Sequence, residues 1–321
     1  MTRYVLGRLA ALLLTLVLAL SGLYALLHAA PGQPTANFGA AVAADPEARA
    51  AIEQARGLDR PFLAQYLEHL RGVLRGDLGR SYYDGSDVRS QLATAAPVSI
   101  ELGLLATVLA IVPGVLLGTF AARRRGHRGD GVASGVALVA VSLPSYWLAV
   151  VALVVAGERW PHLLPSAGGY VPFTEAPLAN LQVMVLPAVV VGLGGFALVV
   201  RAVRSSLGDA LEEDDATFAR ACGMGERQVV TSVAGRRSAP AVLAVSGLVV
   251  GGLLTGTVLV ETVFALPGLG NLLVTSFVRG DHPVAMGAAL VTALVLLVVN
   301  LLVDTTIVAL DRRLLTGGRR S

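Results

Sequence analysis

The chain has 321 residues, of which 55% are hydrophobic and only 15% charged, against about 25% charged in soluble domains, and its mean hydropathy is +0.69. An aqueous core cannot hide that much Val, Leu and Ala, so the composition excludes an ordinary soluble domain and points to the bilayer as second solvent. The formal charge is +3 with no Lys; the arginines are dispersed or border apolar runs, which excludes a nucleic-acid-binding face, and the single cysteine, Cys222, excludes an internal disulfide framework or a cysteine-based metal site.

Taken in chain order, six Leu/Val/Ala-rich stretches are long enough to cross about 30 Å of hydrocarbon at about 1.5 Å per residue. They run near 9–30, 98–122, 132–156, 183–203, 241–265 and 284–310. The apolar residues do not alternate, which favours helices over a barrel. The first stretch follows Arg3 and Arg8. It reads as an uncleaved anchor rather than a signal peptide, because it is long and Leu27-His28-Ala29 is a poor cleavage site.

Residues 31–96 form a segment of balanced charge. Leu63, Tyr66, Leu67, Leu70 and Leu74 recur there at helical spacing, with glycines and aspartates marking turns around them. Residues 97–310 carry the remaining five spans, and 311–321 form a short tail. Arginines cluster before span one, between spans two and three, after span four, before span five and after span six. With six spans all of these fall on one side, which the positive-inside rule makes cytoplasmic, together with both termini. Residues 31–96 are then extracytoplasmic.

The loop at about 205–239 is the most informative stretch. Glu212 to Asp215 place negative charge where a helix N-terminus welcomes it. Ala216 to Cys222 suits a short helix, and Gly223 is placed to stop it in the left-handed conformation. A second helical stretch, Glu226 to Ala234, leads into span five. A short helix held between two spans can act as a rigid lever for a soluble partner, or can be an ordinary amphipathic connector.

The same loop reads Glu213-Asp214, then Ala219-Arg220-Ala221-Cys222-Gly223-Met224. It resembles the EAA loop of the permeases of ABC importers for dipeptides, oligopeptides and nickel complexes. Other strings stand in the order found in that family. They include Pro31-Gly32-Gln33-Pro34, Gly57-Leu58-Asp59-Arg60-Pro61, Gly76-Asp77-Leu78-Gly79, Ser142-Leu143-Pro144, Leu186-Pro187-Ala188, Arg204-Ser205-Ser206, Glu261-Thr262-Val263-Phe264, Pro267-Gly268-Leu269-Gly270 and Asn300-Leu301-Leu302-Val303-Asp304. The chain departs from the pattern at Asp215, where an aromatic is usual, and at Cys222, where a basic residue is common.

The resemblance implies an all-α integral membrane protein with the six-helix type I importer permease fold, the first of two permease subunits, in the bacterial cytoplasmic membrane. It implies a second homologous permease, two cytoplasmic ABC ATPases, an extracytoplasmic solute-binding protein and surrounding lipid as partners. ATP and Mg would be used by the ATPases, with no cofactor on this chain. The coupling residues would be Glu213, Asp214, Ala219, Arg220, Ala221, Gly223 and Met224. Consistent with this, the sequence contains no Gly-x-x-x-x-Gly-Lys-Ser/Thr phosphate-binding loop.

Candidates for the translocation path are fewer. Pro144 removes a backbone donor within span three and can kink it, as Pro113 and Pro187 can in their spans. Glu261, late in span five, either lines the path or bonds to the Pro267–Gly270 turn; an acid at the bilayer centre is disfavoured by about 2.5–3.5 kcal/mol. Asp304 can pair with Arg201, Arg204 or a backbone group. Gly247, Gly251, Gly252 and Gly256 give small-residue spacing for close helix packing, against the partner permease among other options. The five histidines, His28, His69, His127, His162 and His282, show no metal-ligand spacing. An ion-driven secondary transporter is the competing class; it usually shows repeated halves and intramembrane charges, which are scarce here. An intramembrane enzyme lacks support, since neither His-Glu-x-x-His nor Gly-x-Ser-x-Gly occurs.

Overall fold

The computed structural model describes residues 2–29, 47, 50, 54, 60–159 and 169–310. Its described elements are helical: α1 Thr2–Ala29, α2 Phe62–Arg75, α3 Val88–Arg123, α4 Arg128–Ser142, α5 Ser145–Arg159, α6 Pro177–Glu212, α7 Asp214–Ala221, α8 Glu226–Gln228, a π-helical turn Val229–Ala234, α9 Gly235–Val263, α10 Leu269–Val278 and α11 His282–Leu310. The strings at 31–34 and 57–59, His162 and the 311–321 tail lie outside the described residues, as do the side chains of His28 and Asp304.

Among the described residues, four stretches are long and apolar enough to cross a membrane: Val88–Arg123, Pro177–Glu212, Glu226–Leu253 and His282–Val303. They correspond to the second, fourth, fifth and sixth expected spans. The first expected span falls on α1, whose described apolar stretch, Leu14–Leu27, is shorter than a full crossing. The third differs from expectation. The run at 132–156 is not one helix but α4 and α5, meeting at 98° across Leu143-Pro144. The ring of Pro144 disfavours helix at the residue before it, and Leu143 is extended at φ −95°, ψ 130°. Each half has 15 residues, about 22 Å of helix, short of a full crossing by itself. Pro187 and Pro240, by contrast, lie inside continuous helices.

The described residues fall into two compact units, one within Met1–Ser99 and Pro267–Leu297, the other within Ile100–Leu266 and Val298–Ser321. In the first, Leu20, Tyr24 and Leu27 of α1 pack on Ala285, Met286 and Leu290 of α11. The amphipathic α2 docks on α1 through aromatic contacts: the Tyr24 ring lies 5.3 Å from Phe62 and 5.2 Å from Tyr66, and the Tyr66 hydroxyl meets Ser21 Oγ at 2.5 Å. The expected stripe on α2 is therefore rotated. Tyr66 and Leu70 are half-buried, whereas Leu63, Leu67 and Leu74 are exposed, because the contact is made by the Phe62–Tyr66 face. Gly76 closes α2 at φ +77°, a conformation glycine adopts without steric penalty.

The loop after α2 is tied to the α10–α11 junction by a buried carboxylate. Asp281 accepts Ser81 Oγ at 2.5 Å and the Tyr82 N–H at 2.9 Å. Within the same loop, the Ser86 N–H and hydroxyl donate to Asp84 and hold its carboxyl below the usual carboxylate range. α10 has no counterpart in the expected elements: its first residue, Leu269, donates its N–H to Ser99 Oγ at 2.7 Å.

In the second unit, glycines let helices approach closely. A Cβ on Gly118 would stand 2.7 Å from the Val203 Cβ, and one on Gly192 2.9 Å from the Ala106 carbonyl oxygen. Gly114 and Gly118 thus form the small-xxx-small face that brings α3 onto α6. The glycines of α9 divide in use. A Cβ on Gly251 would meet Asn300 Oδ1 of α11 at 2.5 Å, so that position packs within the chain, while Gly252 faces open space.

Candidate functional site

The loop between α6 and α9 folds into a braced lever. α6 ends at Glu212, and Glu213 turns the chain in an extended conformation. α7 then runs over Asp214–Ala221, one residue earlier at its end than the sequence suggested. Asp214 and Asp215 occupy its first turn, where the helix dipole favours negative charge. The Glu213 carbonyl accepts the Ala216 and Thr217 N–H groups at 3.1 and 3.2 Å. Ala216 and Ala219, one turn apart, are buried.

Gly223 ends the helix at φ +82°. Its N–H donates to the Arg220 carbonyl at 2.9 Å and the Met224 N–H to Ala219 at 3.1 Å, the two-bond pattern of a Schellman cap. A side chain at Gly223 would be strained by backbone conformation rather than by crowding, since open space surrounds its Cα.

Charged side chains fix this stub to what precedes and follows it. Arg220 reaches both ways. Its Nη1 donates to the Leu211 carbonyl of α6 at 3.0 Å. Its Nε and Nη2 hold the two oxygens of Glu226 in α8 at 3.0 and 3.1 Å, the bidentate fork that guanidinium matches best. Those bonds raise the Arg220 pKa further. Arg237 of α9 pairs with Glu213 and, at 2.7 Å, with Asp215. On the far side Arg125, between α3 and α4, meets Asp209 at 2.7 Å and Glu212 at 3.4 Å. Asp209, followed by the Glu212 charge, holds Arg125 firmly protonated. The departure at Asp215 thus has a local use, as a partner for Arg237.

Into α9 the backbone passes through a π turn over Val229–Ala234 rather than the plain helix expected for 226–234. Gly235 follows it, and a Cβ there would stand 2.6 Å from the Val230 carbonyl oxygen. π turns concentrate at functional positions in helices.

Two groups escaped the sequence reading. Phe218 is 70% exposed on α7, an aromatic one turn beyond Asp215 and the signal that an apolar contact lies on this helix. Asp130, 6% exposed, is the second. It takes both Arg204 Nε and, at 2.8 Å, Nη2, which binds Arg204 from α4. No spacing in the sequence links Arg204 of α6 to Asp130 at the start of α4.

The path candidates stand apart in character. Pro144 sits at the α4–α5 bend and Glu261 late in α9, fully buried at 0% exposure with Thr257, 3% exposed, one turn before it. Asp304 lies on α11. The structure therefore gathers Glu213, Asp214, Ala219, Arg220, Ala221, Gly223 and Met224 on α7 and its two ends, and leaves Pro144 at the α4–α5 break, Glu261 on α9 and Asp304 on α11. Among the described residues no group of three or more His, Cys, Asp or Glu could hold a metal ion.

A near all-helical chain with apolar spans and a braced stub between two of them has the form of a helical membrane-embedded subunit. Comparison with known proteins specifies it. Residues 114–316 match the family described as the binding-protein-dependent transport system inner membrane component, and residues 1–103 match the N-terminal part of such components. The chain belongs to this family of multi-pass permeases.

A provisionally named peptide transport system permease protein of Brucella abortus (strain 2308) is 34% identical over 315 residues, covering 98% of this chain and 99% of that one. The dipeptide transport system permease protein DppB of Escherichia coli (strain K12) is 32% identical over 326 residues, covering 95% and 96%. A solved structure of the MetNI methionine ABC transporter in inward-facing conformations has a TM-score of 0.55 at 18% identity. It covers 70% of this chain and 97% of that chain, and establishes the shared fold.

Proposed function

We propose that this chain is one of two homologous permeases of an ABC importer for peptides, and that α7 is the handle by which separate ATPases move it. The peptide class rests on the relatives named for peptide and dipeptide transport, matched over nearly their whole length. One observation carries the mechanical reading: α7 is fastened to α6 through Leu211 and to α8–α9 through Glu226 and Arg237, yet offers exposed Phe218 outward. A partner that grips Phe218 moves α7 as a solid piece, and the ion pairs pass the displacement to both flanking helices.

In this reading α7, both termini and the arginine-bordered loops face the cytoplasm. The ATP and Mg belong to two partner ATPases that close and reopen beneath the permease pair. An extracytoplasmic binding protein delivers the solute. Alternation between outward and inward access then needs no cofactor on this chain, and the α4–α5 bend at Pro144 is the natural place for helix movement. Glu261, which is buried, and Asp304 are kept as path or gating candidates.

Two measurements test this. Cys222, the chain's sole cysteine, is exposed at the end of α7, so a membrane-impermeant maleimide should label it in inside-out vesicles and not in intact spheroplasts; the reverse pattern would overturn the orientation. Phe218→Ala in the assembled transporter should reduce ATP-driven dipeptide uptake at least tenfold while the complex keeps its melting temperature. Undiminished uptake would remove α7 from the coupling role.

A further inference from the structure

A cavity of about 400 Å³ opens between α4 and α6, lined by Ser134 and Leu138 on one side and by Arg201, Arg204 and Ser205 on the other. Its floor is Ala137 and Val200, both 0% exposed. These belong to a packed cluster with Ala140 and Ala197, so the site is a depression in a fixed wall.

The charges around it are not all paired. Asp130 engages the Nε–Nη2 edge of Arg204 and leaves the Nη1 edge. Asp209 is held at 2.7 Å by Arg125 and lies 3.5 Å from Ser205 Oγ. Arg201 is exposed, lies three residues before Arg204 on the same helix face, and has no hydrogen bond or ion pair among the described residues. Arg201 therefore stands at the cavity mouth as a cation that no described carboxylate holds, while the hydroxyls of Ser134 and Ser205 already serve Asp130 and Asp209.

The position along the helix matters as much as the charge. α6 is apolar through Leu198-Val199-Val200, and the arginines begin at once after it, which sets them at the membrane–water boundary. From the same cavity an apolar track leads along α4, through Leu138 at 53% exposure to Val141, one turn further, at 41%.

The geometry points to a binding site for the phosphodiester headgroup of an anionic phospholipid, with one acyl chain along Leu138 and Val141. A phosphate accepts the charge-assisted bonds that Arg201 and the spare Arg204 edge donate, and basic pockets between membrane helices bind such headgroups. Free phosphate shares that chemistry but has no use for the apolar track. The site rests on the chain spanning a membrane and is independent of what it transports.

The assembled transporter in nanodiscs of mixed phosphatidylglycerol and phosphatidylcholine, extracted into mild detergent for native mass spectrometry, tests it. Wild type should retain phosphatidylglycerol in preference to phosphatidylcholine. Arg201→Gln should weaken that retention about tenfold, the equivalent of one charge-assisted bond, and Arg201→Lys should keep most of it. Equal retention of the two lipids by wild type would overturn the site without any variant. So would unchanged retention in Arg201→Gln, or displacement of the lipid by millimolar inorganic phosphate. Dipeptide uptake is read separately, so loss of the lipid site leaves the transport reading standing.

Discussion

Arg220 and Glu226 form one ion pair, but the structure makes them unequal. Arg220→Gln removes the bidentate contact with Glu226 and the bond to the Leu211 carbonyl together. The ion pair is between side chains 37% and 46% exposed, so solvent screening limits it to about 0.5 kcal/mol. The bond from a charged donor to a part-buried carbonyl is stronger, about 1.5 kcal/mol. The sum, about 2 kcal/mol, is a roughly 30-fold rise in the opening equilibrium of α7. Glu226→Gln leaves the Leu211 bond in place and should raise opening only about twofold. Hydrogen exchange on peptides spanning residues 211–224 of the assembled transporter reads both numbers directly. Equal effects of the two substitutions would refute the brace to α6, and with it the argument that α7 moves as one piece with that helix.

Three further outcomes follow from other contacts. Gly192→Ala should destabilise the detergent-solubilised protein by about 1–3 kcal/mol, because its new Cβ meets the rigid Ala106 carbonyl. Gly194→Ala, where nothing lies within 4 Å, should not, and thermal melting distinguishes them. Asp130→Asn should loosen the α4–α6 contact by about 2 kcal/mol by leaving Arg204 half-buried without its carboxylate; adding Arg204→Gln should recover part of that, as a double-mutant cycle would show. His69 is half-buried and stacked at 6.0 Å on Tyr24, and burial lowers its pKa below the ordinary 6.5. It shares a cavity with Glu68, Asp77, Arg80 and His282. The unfolded chain then binds more protons as pH falls below about 6.5, so stability of α2 should decline from there toward the lower folded value. His69→Gln should flatten that decline in hydrogen exchange of residues 62–75.

What the sequence disclosed and what it withheld divide along a physical line. Long apolar runs and the arginines that border them are properties of single segments, so spans two, four, five and six were legible. Gly223 was legible for the same reason: a left-handed cap is a local backbone demand that few residues meet. Features that depend on two segments meeting were not. The Asp130–Arg204 pair joins residues 74 positions apart, and no spacing rule links them. The Gly114–Gly118 face has meaning only once Val199 and Val203 lie against it.

Leu143-Pro144 shows the limit from the other side. A proline inside an apolar run permits either a kink or a break, and Pro187 continues its helix where Pro144 ends one. The choice is made by neighbours. Pro187 is buried in a helix packed along its length, whereas the residues around Pro144 are largely exposed, so packing does not compensate there for the missing backbone bond. The coupling residues follow the same rule. The motif marks where α7 lies, but its stiffness comes from Leu211, Glu226 and Arg237, and a stub without those anchors would present Phe218 to a partner and transmit nothing.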